Sequence, residues 1–193
     1  MKTKLIIKNI NDFSNEYKNF IYNILNTYHK RKVDLKKNRI ISYCMIYNYF
    51  EENNIYLNIN NIYYSNSGKP LLDGFKFSIS NKDDIYVLAV SDYEIGVDIE
   101  KVKNYDKRIL KYFYTNNEKN IVNNNYDFFK IFTLKESYIK MNDCYFDSIK
   151  LDDYVNYYNK TINYKEYVIS YVIFKRKWHI LLFLYWIFLN TNI

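Results

Sequence analysis

Three glycines and one proline are all that this 193-residue chain contains, and Gly68, Pro70, Gly74 and Gly96 fall within 29 positions of one another. Glycine reaches dihedrals closed to other residues and lets a backbone or ligand come close, whereas proline fixes φ. A chain so poor in flexible linkers must join its helices and strands directly. Unusual dihedrals or a close approach of backbone or ligand are therefore expected in this region, and hairpin turns explain part of the pattern.

Around that region the apolar period changes several times. "KLIIKNI" reads as a first strand, and Phe13, Tyr17, Phe20, Ile21, Ile24, Leu25 and Tyr28 then keep helical spacing behind Asp12 or Ser14 as cap. A second helix is predicted from near Asp34 to about Glu52. Short strands follow in "NIYYSNSGKPLLDG", "FKFSISN", "DIYVLAVSD" and "EIGVDIE", separated by turn residues. Beyond Val102 the helical period returns in "YDKRILKYFYT" and in "TNNEKNIV", where Thr115 and Glu118 form a capping box. "DFFKIFTLKESYIKM", Asp127 to Met141, is the last predicted helix, and "YKEYVISYVIF" returns to strand. This order predicts an α+β fold of two comparable halves packed as one unit, 1–94 and 95–193.

Hydrophobic residues make up 49% of the chain, enough for one good core or two small ones. A net charge of +7 and a pI near 9.1 point to an anionic partner: nucleic acid, an acidic protein or a phosphorylated cofactor. The N-terminal apolar run is too short for a signal peptide. "WHILLFLYWIFL", 178–189, is also shorter than a bilayer span and reads as a buried strand. Cys44 and Cys144 lack any zinc-like spacing, and are expected as reduced packing residues in a cytoplasmic protein.

His29 and His179 are the only histidines, and neither adjoins a nucleophile motif, which argues against Ser/His or Cys/His catalysis. In "EIGVDIEKV", Ile95, Val97 and Ile99 fall on one strand face, and Asp98 and Glu100 stand side by side on the other. Those carboxylates suit either a solvated outer face or two oxygen ligands for Mg2+, which takes hard donors and commonly binds carboxylates together with substrate phosphates. In "FTLKESYIK", Glu136 and Lys140 share a helix face. They form either an ordinary surface pair or a third carboxylate beside an ammonium.

The combination of "GKP", "FSIS", "GVDIE" and, about thirty residues later, "FTLKESYIK" resembles the Sfp-type 4'-phosphopantetheinyl transferases, most clearly over Ser67 to Met141. The resemblance implies two similar α+β halves related by a pseudo-twofold axis, with the active site between them. It implies transfer of phosphopantetheine from coenzyme A to a serine of an acidic acyl or peptidyl carrier protein, with release of 3',5'-ADP, in a monomer that has no nucleic-acid partner. By motif match, Asp98, Glu100 and Glu136 would hold Mg2+, or Mn2+ in its place. Glu136 would also help deprotonate the carrier serine, directly or through a water, and Lys140 would lie near the leaving phosphate. Arg39, Lys69, Ser80 and Asn81 match positions that contact coenzyme A.

Two departures accompany the match. Ser80-Asn81 replaces the usual Ser-His, removing a ring able to carry positive charge to a phosphate, so weaker coenzyme A binding is expected. The C-terminal apolar stretch matches nothing in the family, and the chain is somewhat short for it. Two other readings are a family member that binds without catalysing and a basic nucleic-acid-binding module. The latter leaves "GVDIE" and "KESYIK" unexplained.

Overall fold

The structure is a computed structural model that describes residues 2–28, 37–144 and 153–176. Its first half runs β1 (Thr3–Asn9), α1 (Asn15–Tyr28), α2 (Lys37–Glu52), β2 (Tyr63–Tyr64), β3 (Pro70–Leu71), β4 (Lys76–Lys82) and β5 (Ile85–Ser91). The second runs β6 (Ile95–Lys101), α3 (Lys107–Phe113), α4 (Asn116–Ile121), α5 (Asn125–Asn142), β7 (Tyr157–Tyr164) and β8 (Tyr167–Arg176). The basic cluster 29–36, the predicted start of α2 at Asp34 and the apolar stretch 178–189 lie outside the described residues.

Each half builds a three-stranded antiparallel sheet with the same order, β1-β5-β4 and β6-β8-β7. In both, the first strand pairs with the last and the middle strand takes the far side. The α+β fold of two similar halves is therefore observed. β2 and β3 form a separate two-stranded ribbon.

Strand alternation assembles these sheets into layers. On one face of the first sheet, Phe77, Leu88 and Val90 pack with Ile21, Leu25 and Ile41 of α1 and α2. On the other face, Ile85, Val87 and Ala89 meet Ile95, Val97 and Ile99 of β6 and Ile169 and Ile173 of β8. α5 covers the outer face of the second sheet, placing Phe128 and Ile131 near Val168 and Leu134 and Met141 near Val172. The order of layers is thus helix, sheet, sheet, helix. β5 is buried along its whole length, which explains why "IYVLAVS" runs apolar instead of alternating.

Local signals behave as the sequence suggests. Ser14 Oγ accepts the Tyr17 N–H at 3.1 Å and caps α1. Thr115 and Glu118 close both halves of their capping box. The last strand begins slightly later than predicted and pairs with β7, which the apolar pattern did not single out. Cys44 and Cys144 are both free thiols.

Candidate active site

The site begins at Gly96. A Cβ there would meet the Ser137 carbonyl oxygen at 1.9 Å and the Met141 amide nitrogen at 2.5 Å, so only glycine lets α5 lie directly on β6. The close approach expected of this glycine is therefore to a helix. Gly68 serves differently, holding φ +86° in the turn before Lys69.

With α5 seated, its polar residues meet the outer-face carboxylates of β6. Lys140 Nζ donates to Asp98 Oδ1 at 2.7 Å and to Ser80 Oγ at 2.9 Å, and Ser80 Oγ donates to Asp98 Oδ1 at 2.9 Å. These three residues come from α5, β4 and β6, so they join the two halves. Ser78 reinforces the seam by accepting the Val97 N–H at 3.1 Å. Asp98 is 5% exposed, and its Oδ2 is buried without a hydrogen-bond partner. Such an orphan costs about 1–3 kcal/mol unless something else satisfies it.

Glu100 pairs with Lys82 Nζ at 2.7 Å. Glu136 is half-buried beside both carboxylates. Burial, followed by the charge of Asp98, pushes its carboxyl up to about 7; Lys140 opposes the rise and Glu100 adds to it. The expected Glu136/Lys140 face is present, but the ammonium takes Asp98 as its ion-pair partner. Among the described residues, no three carboxylate, histidine or cysteine groups already stand in ligating geometry. The donor chemistry still suits a hard divalent cation: three carboxylates share one neighbourhood, one buried oxygen is unsatisfied, and burial with the charges of Asp98 and Glu100 raises Glu136.

A pocket of ≈ 220 Å³ adjoins this cluster, lined by Gly68, Lys69, Ser78, Ile139 and Lys140 among others. The Lys69 ammonium donates to the Ile95 carbonyl at 3.4 Å and lies 3.9 Å from Glu94, and burial lowers its pKa. Two lysines facing one small cavity favour an anionic occupant. Arg39 stands farther along, its guanidinium 5.0 Å from the Tyr64 ring centroid, and Tyr64 pairs with Pro70 beside Lys69. Asn81 falls on the other face of β4 from Ser80, sharing it with Phe77 and Ile79. Its register partner Tyr86 donates to Asn38 next to Arg39. Asp98, Ser80 and Lys140 are thus brought into contact and Glu100 and Glu136 stand beside them, whereas Arg39 belongs to α2 and Asn81 lies on the β4 face that packs against α1 and α2.

Two features escaped the sequence. Lys82 is an ion-pair partner of Glu100, and Glu118, beyond its capping role, meets Lys135 Nζ at 2.9 Å in a fully buried pair. Strand parity could have found the first, since Ser78, Ser80 and Lys82 share a face. Nothing local signals the second.

Residues 94–172, which hold β6 to most of β8, match the family model described as the 4'-phosphopantetheinyl transferase superfamily. The matched segment contains Asp98, Glu100, Glu136 and Lys140 and agrees with the resemblance carried by "GVDIE" and "KESYIK". Over 80 residues the chain is 38% identical to the 4'-phosphopantetheinyl transferase gsp of Aneurinibacillus migulanus. That match covers 38% of this chain and 34% of the other, so the chain spans about a third of the length of the curated relative that it matches.

Proposed function

We propose that this chain is a 4'-phosphopantetheinyl transferase that moves the phosphopantetheine of coenzyme A onto a serine of an apo carrier protein. The observation that carries the reading is the convergence of Asp98 and Lys140, beside Glu136, within a segment matching the superfamily, with Ser80 of the other half bonded to both. In the reaction, the serine Oγ bonds to the phosphorus bearing the pantetheine arm. The bond from that phosphorus to the bridging oxygen breaks, and 3',5'-ADP leaves. Glu136, beside Asp98 and facing the same site, would take the serine proton, directly or through a water. Lys140 would face the diphosphate and offset charge as it gathers on the leaving group.

Lys69, Ser80 and Asn81 would bind coenzyme A, and Arg39 would meet its nucleotide end. Residues 1–94 would supply those contacts, and 95–193 the metal and catalytic groups. Asp98, Glu100 and Glu136 would hold Mg2+, or Mn2+ in its place. The cation would supply electrostatic stabilisation of the diphosphate when bound. An acidic acyl or peptidyl carrier, from fatty-acid, polyketide or nonribosomal peptide synthesis, suits the charge of +7. The reading further places the protein in the cytoplasm, acting as a monomer without nucleic acid. Its two free cysteines suit a reducing compartment, and no described helix is long and apolar enough to cross a membrane.

Incubation with coenzyme A, Mg2+ and an apo carrier protein, read by intact mass, tests the proposal. A phosphopantetheine adduct on the carrier is the expected product. Binding of coenzyme A without an adduct would leave a non-catalytic relative.

A further inference from the structure

Lys135 precedes Glu136 but turns away from the active site toward α4, and it is 1% exposed. Its ammonium lies 2.9 Å from Glu118 Oε2, with the Tyr114 and Tyr154 rings at 5.8 and 5.9 Å. Glu118 is itself fixed from other directions. The Thr115 N–H donates to its Oε2 at 2.7 Å, and the Tyr154 hydroxyl donates to its Oε1 at 2.9 Å. Taking two charges out of water costs several kcal/mol apiece, and apolar replacements are often as stable or more so. Stability alone therefore gives this pair little reason to exist.

Orientation gives it one. Apolar packing of a helix on a sheet tolerates small rotations, the Thr133 and Ser137 hydroxyls on Ser170 pin α5 only on its sheet side, and each residue of α5 is turned about 100° from the next. A buried ion pair with a fixed acceptor tolerates far less, because a rotated Lys135 would be left unpaired. We infer that Glu118 and Lys135 are positioning residues for the proposed transfer: their pair sets the rotation of α5 that brings Glu136 and Lys140 onto Asp98 and Glu100. The inference rests on the reading above for its kinetic consequence, although the rotation itself is a property of the fold.

The test is the double variant Glu118→Gln/Lys135→Met, which removes both charges together and keeps an oxygen to accept the Thr115 N–H. Two readouts are taken against the parent: kcat and KM for coenzyme A, and acylation of Lys140 by an N-hydroxysuccinimide ester, followed by peptide mass spectrometry with Lys8 as reference. The expected variant folds with a thermal midpoint at or above the parent's and labels Lys140 several-fold faster. Its kcat falls roughly 10- to 100-fold at nearly constant KM, the scale of an ångström-level misplacement. Lys135→Arg, which retains the pair, should recover most of the rate and the protection. Parental labelling and kcat in the folded double variant would overturn the inference. So would failure to fold, which would make the pair simply structural. If the parent transfers no phosphopantetheine, the functional reading fails, while faster labelling of Lys140 still establishes the rotation.

Discussion

Lys140 Nζ lies 2.7 Å from Asp98 Oδ1, joining the second-half helix to the first strand of its own sheet, and its contact with Ser80 carries the link into the other half. The i, i+4 spacing in the sequence pairs Lys140 with Glu136, but the folded ammonium chooses the more buried carboxylate. Glu136 is thereby left with less compensation for its own burial, which is one reason its carboxyl is displaced upward.

Asp98→Ala should abolish transfer and spare the fold. One oxygen of Asp98 has no partner to lose, and Lys140 is exposed enough to turn toward water. The thermal midpoint should stay within about 4 °C of the parent, equivalent to roughly 1 to 2 kcal/mol. Normal turnover by folded Asp98→Ala protein would remove Asp98 from the metal assignment.

Glu136→Gln separates basicity from size. In protein freed of divalent cations by chelation, the folded state holds a proton on Glu136 between about pH 4.5 and 7 that the unfolded chain has released. The folded pKa is raised, so this carboxyl costs stability as pH rises through that window. The parent should therefore melt lower at pH 8 relative to Glu136→Gln, and the two midpoints should converge at pH 5. Parallel pH profiles would contradict the environment described for Glu136. With cation and substrates present, the same variant should lose about a hundredfold or more in rate.

Gly96→Ala probes the contact between α5 and β6. The added Cβ meets backbone atoms at 1.9 and 2.5 Å, so no side-chain rotation relieves it. The cost should reach or exceed the upper end of the usual overpacking range, about 1–3 kcal/mol. Transfer should fail even where the protein still folds. Gly74→Ala is the control: φ is +73° there but nothing lies within 4 Å, so its cost should be near 1 kcal/mol with activity kept. Chemical denaturation and the carrier assay distinguish them, and equal costs would refute the packing argument.

Asn81→His should tighten coenzyme A binding with little change in maximal rate, since position 81 lies opposite Tyr86 on the β4 face turned away from Ser80 and Asp98. Calorimetric titration with coenzyme A reports the affinity. Unchanged or weaker binding would mean that this strand face does not meet the nucleotide.

Much of this arrangement was readable where one period or one cap governs a segment. Ile95, Val97 and Ile99 are at most 1% exposed, as their alternation demands, and the Thr115/Glu118 box closes as spaced. β7 was missed because "YYNKTINY" mixes polar and apolar residues on a mostly half-exposed strand; its strand character comes from pairing with β8. The rarity of Gly96 marked it as special, yet that its neighbour is Ser137, forty-one residues on, is a tertiary fact. Lys135 and Glu118 were hidden for the same reason. Charged residues read as surface until their counter-charge is located.

The burial of β5 on both faces also bears on synthesis. As the chain leaves the ribosome, Ile85, Val87 and Ala89 emerge well before Ile169 and Ile173, which complete their cover. About 76 residues separate the end of β5 from the start of β8, an interval of roughly 4 to 15 s at ordinary elongation rates. Throughout that wait the nascent first half presents a bare apolar sheet face, shielded at most by β6. Vectorial folding is thus incomplete until the last described strand arrives, and trigger-type chaperones that hold exposed apolar strands would have their natural opportunity during the synthesis of α3 to β7.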